Sequence, residues 1–151
     1  MNIEIEEDYV SFEVAKLLKE CGFCEECNQN GYYAVNKYST GVPWNSITYN
    51  IGDVTYEYCP KNVIARPTIQ MAMKWLRENH KMFIMVLWIP EWQVGTFGEN
   101  SPQSSGYSYT IVDLPDGNFI NTDEPIIGYP SYDECANIAI TYCLNKIKSN
   151  G

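Results

Sequence analysis

The chain has 151 residues, 45% apolar and 19% charged, with a net charge of −9. That balance suits one domain able to bury roughly two-thirds of its unfolded surface, and it excludes a disordered or fibrous chain. Ten acids oppose three lysines over residues 1–60 and eight oppose two over 91–151, so only the island of Lys61, Arg66, Lys74, Arg77 and Lys81 could supply a basic footprint for phosphate.

The opening "MNIEIEEDYV" carries four acids and no basic side chain, the opposite of a signal peptide's cationic start and apolar run. The longest apolar run, "MFIMVLWI" at 82–89, has eight residues, far fewer than the roughly 20 a membrane helix needs. A cytoplasmic protein with no membrane partner is expected, and in that compartment its six cysteines stay reduced.

The first helix is predicted from Ser11 to about Cys21. Ser11 caps it, Val10 staples the entry and Gly22 takes the left-handed position past the end. Val14, Leu17, Leu18 and Cys21 form its apolar stripe. "YYAV" at 32–35 reads as a weak strand. "ITYNI" (47–51) and "VTYEY" (54–58) flank Gly52-Asp53 and predict a hairpin closed by a type II′ turn, pairing Ile51 with Val54, Tyr49 with Tyr56 and Ile47 with Tyr58.

The second helix is predicted from near Pro67-Thr68 to near Asn79, with Ile69, Ala72, Met73 and Leu76 inward, joined by Met71 and Trp75 on a broad apolar side. Residues 82–89 follow as a strand, apolar throughout and so central in its sheet. "GYSYTIVDL" (106–114) is the next, and Pro115-Asp116-Gly117 turns into a short strand near Asn118–Asn121. Ser131-Tyr132-Asp133-Glu134 is a capping box that opens the last helix, where Cys135, Ala136, Ala139, Tyr142, Cys143 and Ile147 share a side. The order α-β-β-β-α-β-β-β-α predicts a single α+β domain over 1–151, with a mainly antiparallel sheet and about three helices packed on one side.

The stretch "CGFCEECNQN" (21–30) raises a metal site. Cys21, Cys24 and Cys27, with Cys59 as a fourth ligand, could offer four thiolates to zinc. Against this, Cys21 falls on the Leu17–Leu18 stripe, Cys59 stands alone rather than in a second Cys-x-x-Cys pair, and Glu25 and Glu26 add charge of the wrong sign. The reading adopted is no metal and no cofactor, with the cysteine-liganded zinc protein as the alternative.

A cysteine–histidine nucleophile would need the single histidine, His80, to meet a thiol such as Cys59. No nucleophile elbow, zinc-protease or phosphate-loop motif is present, so no catalytic residue is assigned and no enzyme is expected. From Pro67 onward the order α-β-β-β-α is similar to that of double-stranded-RNA-binding domains. In that family the start of the last helix carries lysines that meet phosphate. The matching positions here are Ser131, Tyr132, Asp133, Glu134 and Asn137, and the loop from Gly95 to Gly106 has no Lys or Arg, so nucleic acid ranks third.

Aromatic residues are abundant: 12 Tyr, 4 Trp and 5 Phe, more than the predicted stripes absorb. Trp44, Trp92, Phe97, Tyr107 and Tyr109 lie outside those stripes and form the candidate protein-binding patch, since Tyr and Trp favour interfaces.

Three segments, "SFEVAKLLKECGF", "PTIQMAMKWLRE" and "SYDECANIAITYCL", resemble a family of small uncharacterised proteins encoded by Bacteroides-type gut bacteria and their phages. These are helix-packing motifs. The resemblance implies a shared fold and a phage or mobile-element origin, and no functional residue transfers with it. The expectation is an acidic, non-catalytic accessory protein whose partner is another protein.

Overall fold

The structure is a computed structural model that describes residues 8–23, 32–35, 41–44, 47–58, 63–96, 98, 101–122 and 124–150. It is α+β, with three helices and antiparallel strands. The chain divides into two compact units, Met1–Thr68 and Ile69–Gly151. No helix among the described residues is long and apolar enough to cross a membrane.

In the first unit, helix α1 runs over Phe12–Glu20 with Ser11 at its N-cap, where the Val14 N–H donates to Ser11 Oγ at 3.3 Å. The helix stops where the sequence says it should. Gly22 has φ +98, its N–H donates to the Lys19 carbonyl at 3.1 Å, and the Phe23 N–H reaches back to the Leu18 carbonyl at 2.9 Å. This is the Schellman arrangement, which satisfies carbonyls the helix leaves open and folds a hydrophobic residue back onto its last turn. Phe23 and Leu18 are accordingly both buried, alongside Val10, Val14 and Ala15.

Strands β1 (Tyr32–Val35), β2 (Gly41–Trp44) and β5 (Val63–Ala65) form a sheet in the order β2-β1-β5. Tyr33 of β1 is buried and anchors that sheet to the chain before α1: its hydroxyl donates to the Val10 carbonyl and its ring meets Phe12 edge-on at 5.6 Å. Strands β3 (Ile47–Ile51) and β4 (Val54–Tyr58) form the predicted hairpin in the predicted register. Gly52 has φ +62, and Lys81 is the one described non-glycine residue with positive φ, so Asp53 keeps a negative φ and the turn is of the II′ kind. Sequence periodicity missed β2 and β5, whose four and three residues are too few to show alternation.

In the second unit, α2 (Ile69–His80) runs straight into β6 (Met82–Ile89) through Lys81 alone. Lys81 has φ +57, and its carbonyl accepts from the Leu114 N–H at 2.9 Å, which ties this corner to the far end of β7 (Gly106–Asp113). Strands β6 and β7 pair antiparallel along all eight residues of each. Helix α3 (Tyr132–Asn150) packs on both strands and on α2. Ser131 caps it, accepting from the Glu134 N–H at 3.3 Å.

The core combines Ile69, Ala72, Leu76, Ile84, Ile111, Cys135, Ala139, Ile140, Cys143 and Leu144. Each large aliphatic member contributes about 1.5–3 kcal/mol by leaving water. Tyr142 and Ile147 sit only partly buried, while Ile140 and Leu144 take the inner positions.

Two expectations change here. Among the described residues β6 pairs with β7 alone rather than lying inside a wider sheet. Its apolar run serves two ends: Ile84 and Ile89 are buried, whereas Leu87 and Trp88 open to solvent. The strand expected near Asn118–Asn121 is reduced to a bridge between Phe119 and Val112, because Asn121 replaces main-chain pairing with its side chain.

Candidate functional site

The candidate cysteines do not come together within the described residues. Cys21 is half-buried at the end of α1, and Cys24, Cys27 and Cys59 lie outside the described residues. Among the described residues no three His, Cys, Asp or Glu side chains gather as metal ligands. Cys135 and Cys143 are core filler. Burial, reinforced by Glu134, pushes the Cys135 thiol up to about 11, and burial pushes Cys143 up to about 12 against the opposing effect of Lys146. Thiols so protonated are poor nucleophiles near neutral pH. The His80 ring packs edge-on against Trp75 at 4.8 Å, closing the hydrophobic end of α2.

The aromatic candidates separate into two places. Trp92 lies on a 3-10 turn, Glu91–Gln93, that follows directly on β6 and Pro90. Three bonds fix that turn: the Gln93 N–H to the Pro90 carbonyl and the Val94 N–H to the Glu91 carbonyl, each at 3.1 Å, and Thr96 Oγ1 to the Trp92 carbonyl at 2.8 Å. The backbone is thus held while the indole is 70% exposed. Tyr107 lies opposite Trp88 in the β6–β7 register, with ring centroids 5.0 Å apart and planes at 76°, and meets Tyr132 of α3 at 6.0 Å. Trp88 is 60% exposed and Leu87 57%. Neither was singled out from sequence. The signal available was their position at the last turn of an apolar strand, just before a proline. The Trp44 side chain and all of Phe97 lie outside the described residues.

Tyr109 belongs elsewhere. Its ring stacks with that of Tyr129 at 6.4 Å and 23°, beside a cavity of about 740 Å³. The cavity arises from how the chain leaves and rejoins the outer edge of β7. Asn121 grips that edge with its side chain: the Ile111 N–H donates to Oδ1 at 2.9 Å, and Nδ2 donates to the Tyr109 carbonyl at 3.4 Å. The chain rejoins the edge at Tyr129, which exchanges both main-chain bonds with Tyr107, at 2.9 and 2.7 Å. Residues 124–128 arch back toward the second anchor.

The segment 101–104 closes the other side. The Gln103 N–H donates to the Ile126 carbonyl at 2.8 Å, and Ser104 Oγ accepts from the Gly128 N–H at 2.8 Å. The strands of chain cross so tightly there that a Cβ on Gly128 would stand 1.9 Å from the Ser105 carbonyl oxygen. Glycine is required at that crossing.

Ser108, Thr110, Phe119, Glu124 and the two stacked tyrosines line the resulting space. Glu124 is its one carboxylate among the described lining residues, which include no Lys, Arg or His. Burial first, then Glu124, holds the Tyr109 phenol well above its usual value; burial and then Cys135 and Glu124 do the same for Tyr129. Both rings therefore stay neutral, with a negative charge close by. Sequence reading found Tyr109 but not Tyr129, Phe119 or Glu124, since "NTDEPIIGYP" has no periodicity to place it against β7.

Compared with known proteins, the chain matches no family model, no curated protein and no solved structure.

Proposed function

We propose that this protein is a non-catalytic protein-binding domain whose contact surface is the outer end of β6 with the turn after it. One observation carries the reading: Trp88 and Trp92, two large aromatic side chains within five residues, are each more than half exposed. Scattered single apolar residues are ordinary on a surface, but two exposed tryptophans beside a rigid turn are characteristic of an interaction site. Trp88 is already braced against Tyr107, so a partner would meet a side chain whose conformational freedom is partly spent. A phage or mobile-element origin belongs to the same proposal and rests on the resemblance of the helix segments alone.

The test compares wild type with Trp88→Ala and Trp92→Ala as baits in parallel pull-downs from one extract. A partner retained by wild type and lost by both variants supports the surface. Equal recovery by all three baits overturns it.

A further inference from the structure

We infer that the cavity between β7 and the 124–128 arch is a binding site for an alkylammonium cation. The argument starts from shape. About 740 Å³ lies within the range of sites for small ligands, which are concave and mostly built in advance. This one is built by main-chain and side-chain bonds at both ends of the arch: Asn121 and Tyr129 on β7, and Ser104 and Gln103 on its far side.

The lining chemistry then selects the ligand. The stacked pair Tyr109 and Tyr129 offers aromatic rings. Ring faces carry the negative end of a quadrupole and attract ammonium groups, an attraction that strengthens where water is displaced. Glu124 adds a full negative charge. It is held at this place by a turn, its N–H donating to the Asn121 carbonyl at 3.2 Å, so its backbone is tied to the residue that anchors the arch. Glu124 also lies close enough to raise the Tyr109 and Tyr129 phenols, after burial as the larger cause.

No cationic side chain among the described lining residues competes for that charge or would neutralise an anionic ligand. The ammonium could belong to a free small amine or to a lysine side chain of another protein. The site recognises the head group in either case.

The experiment titrates the full chain with choline, with butylammonium and with 3,3-dimethylbutanol, the uncharged shape-mimic of choline, following tyrosine resonances by NMR. The expected result is that choline or butylammonium binds at least about tenfold more tightly than the neutral mimic. Glu124→Gln should abolish that preference while keeping the melting temperature of wild type. Tyr129→Leu, which keeps both main-chain bonds to Tyr107, is the second variant and should weaken binding of the cation even where Glu124→Gln perturbs folding. A lysine-containing peptide is the last arm. Affinity at least about tenfold above that of butylammonium assigns the head group to a protein partner, and equal or lower affinity assigns it to a free amine. Absence of cation binding up to about 10 mM, or equal affinity for choline and its neutral mimic, overturns the proposal.

Discussion

The side chain of Asn121 stands in for a strand beside Ile111: its Oδ1 accepts the Ile111 N–H at 2.9 Å while its Nδ2 turns to the carbonyl of Tyr109. Ile111 is fully buried, so its N–H has no water to turn to if the acceptor is removed. Asn121→Ala should destabilise the protein by about 1–3 kcal/mol, the cost of an unsatisfied buried donor. Urea unfolding measures the loss, and hydrogen exchange at Ile111 should accelerate with it. Wild-type exchange at that amide in the variant would count against the assignment.

Arg66 lies with its guanidinium carbon 3.9 Å from the centre of the Tyr9 ring and 5.4 Å from that of Tyr33, and its Nε is buried without a hydrogen-bond partner. Among the described residues the two rings flank the guanidinium and offset part of its lost hydration. A double-mutant cycle with Tyr9→Leu and Arg66→Met should return a coupling energy of about 0.5–2 kcal/mol. Additive effects within experimental error would remove the cation–π contact from the account of this unit.

Lys81 and Gly22 test one rule with opposite signs. Both have positive φ, +57 and +98, a region that disfavours any side chain. Lys81→Gly should relieve strain and stabilise by up to about 1 kcal/mol, less the entropy glycine adds to the unfolded chain. Gly22→Ala should destabilise by about 1 kcal/mol although nothing lies within 4 Å of the new Cβ. Thermal unfolding of the two variants decides, and a shift of the same sign in both would contradict the argument.

Alkaline pH should weaken the fold. Cys135 and Cys143 have folded values near 11 and 12 against 9.0 when unfolded. Between those limits the native state holds protons that the unfolded chain releases. The stabilisation is therefore complete below about pH 9 and declines as pH rises through 11 to 12. Tyr109 and Tyr129, raised in the same direction, add to the decline above pH 10. Urea midpoints at pH 8 and 10.5 should differ accordingly. Cys143→Val, which keeps an apolar filler, should show a shallower fall; an unchanged slope would exclude this thiol as a contributor.

How far the sequence carries the fold depends on the range of the interaction involved. Ser11, Gly22 and the Ser131–Glu134 box act within a few residues, so the ends of α1 and the start of α3 could be read directly. The two-residue turn at Gly52-Asp53 forces each pair of the β3–β4 ladder in succession, which is why that register was legible to the residue. Helix faces were legible in part: α2 buries its expected stripe, but in α3 the inner line shifts to Ile140 and Leu144 because the sheet and α2 decide which side of an evenly apolar helix is covered.

The candidate sites were not legible in the same way. An apolar run such as "MFIMVLWI" states that its side chains avoid water on average, but not which strand lies beside it, so the exposure of Leu87 and Trp88 was decided by the length over which helices cover β6–β7. The cavity depends on contacts between residues 101–110 and 119–129, and local pattern carries no information about a crossing set by Gly128 against Ser105 or by an amide side chain replacing a strand. The sequence alone thus determined the caps, the hairpin and the acidic character, because these arise from neighbours along the chain. Tertiary structure decided which aromatic rings reach solvent and which lie beside a carboxylate, because those relations join segments whose spacing in sequence has no fixed period.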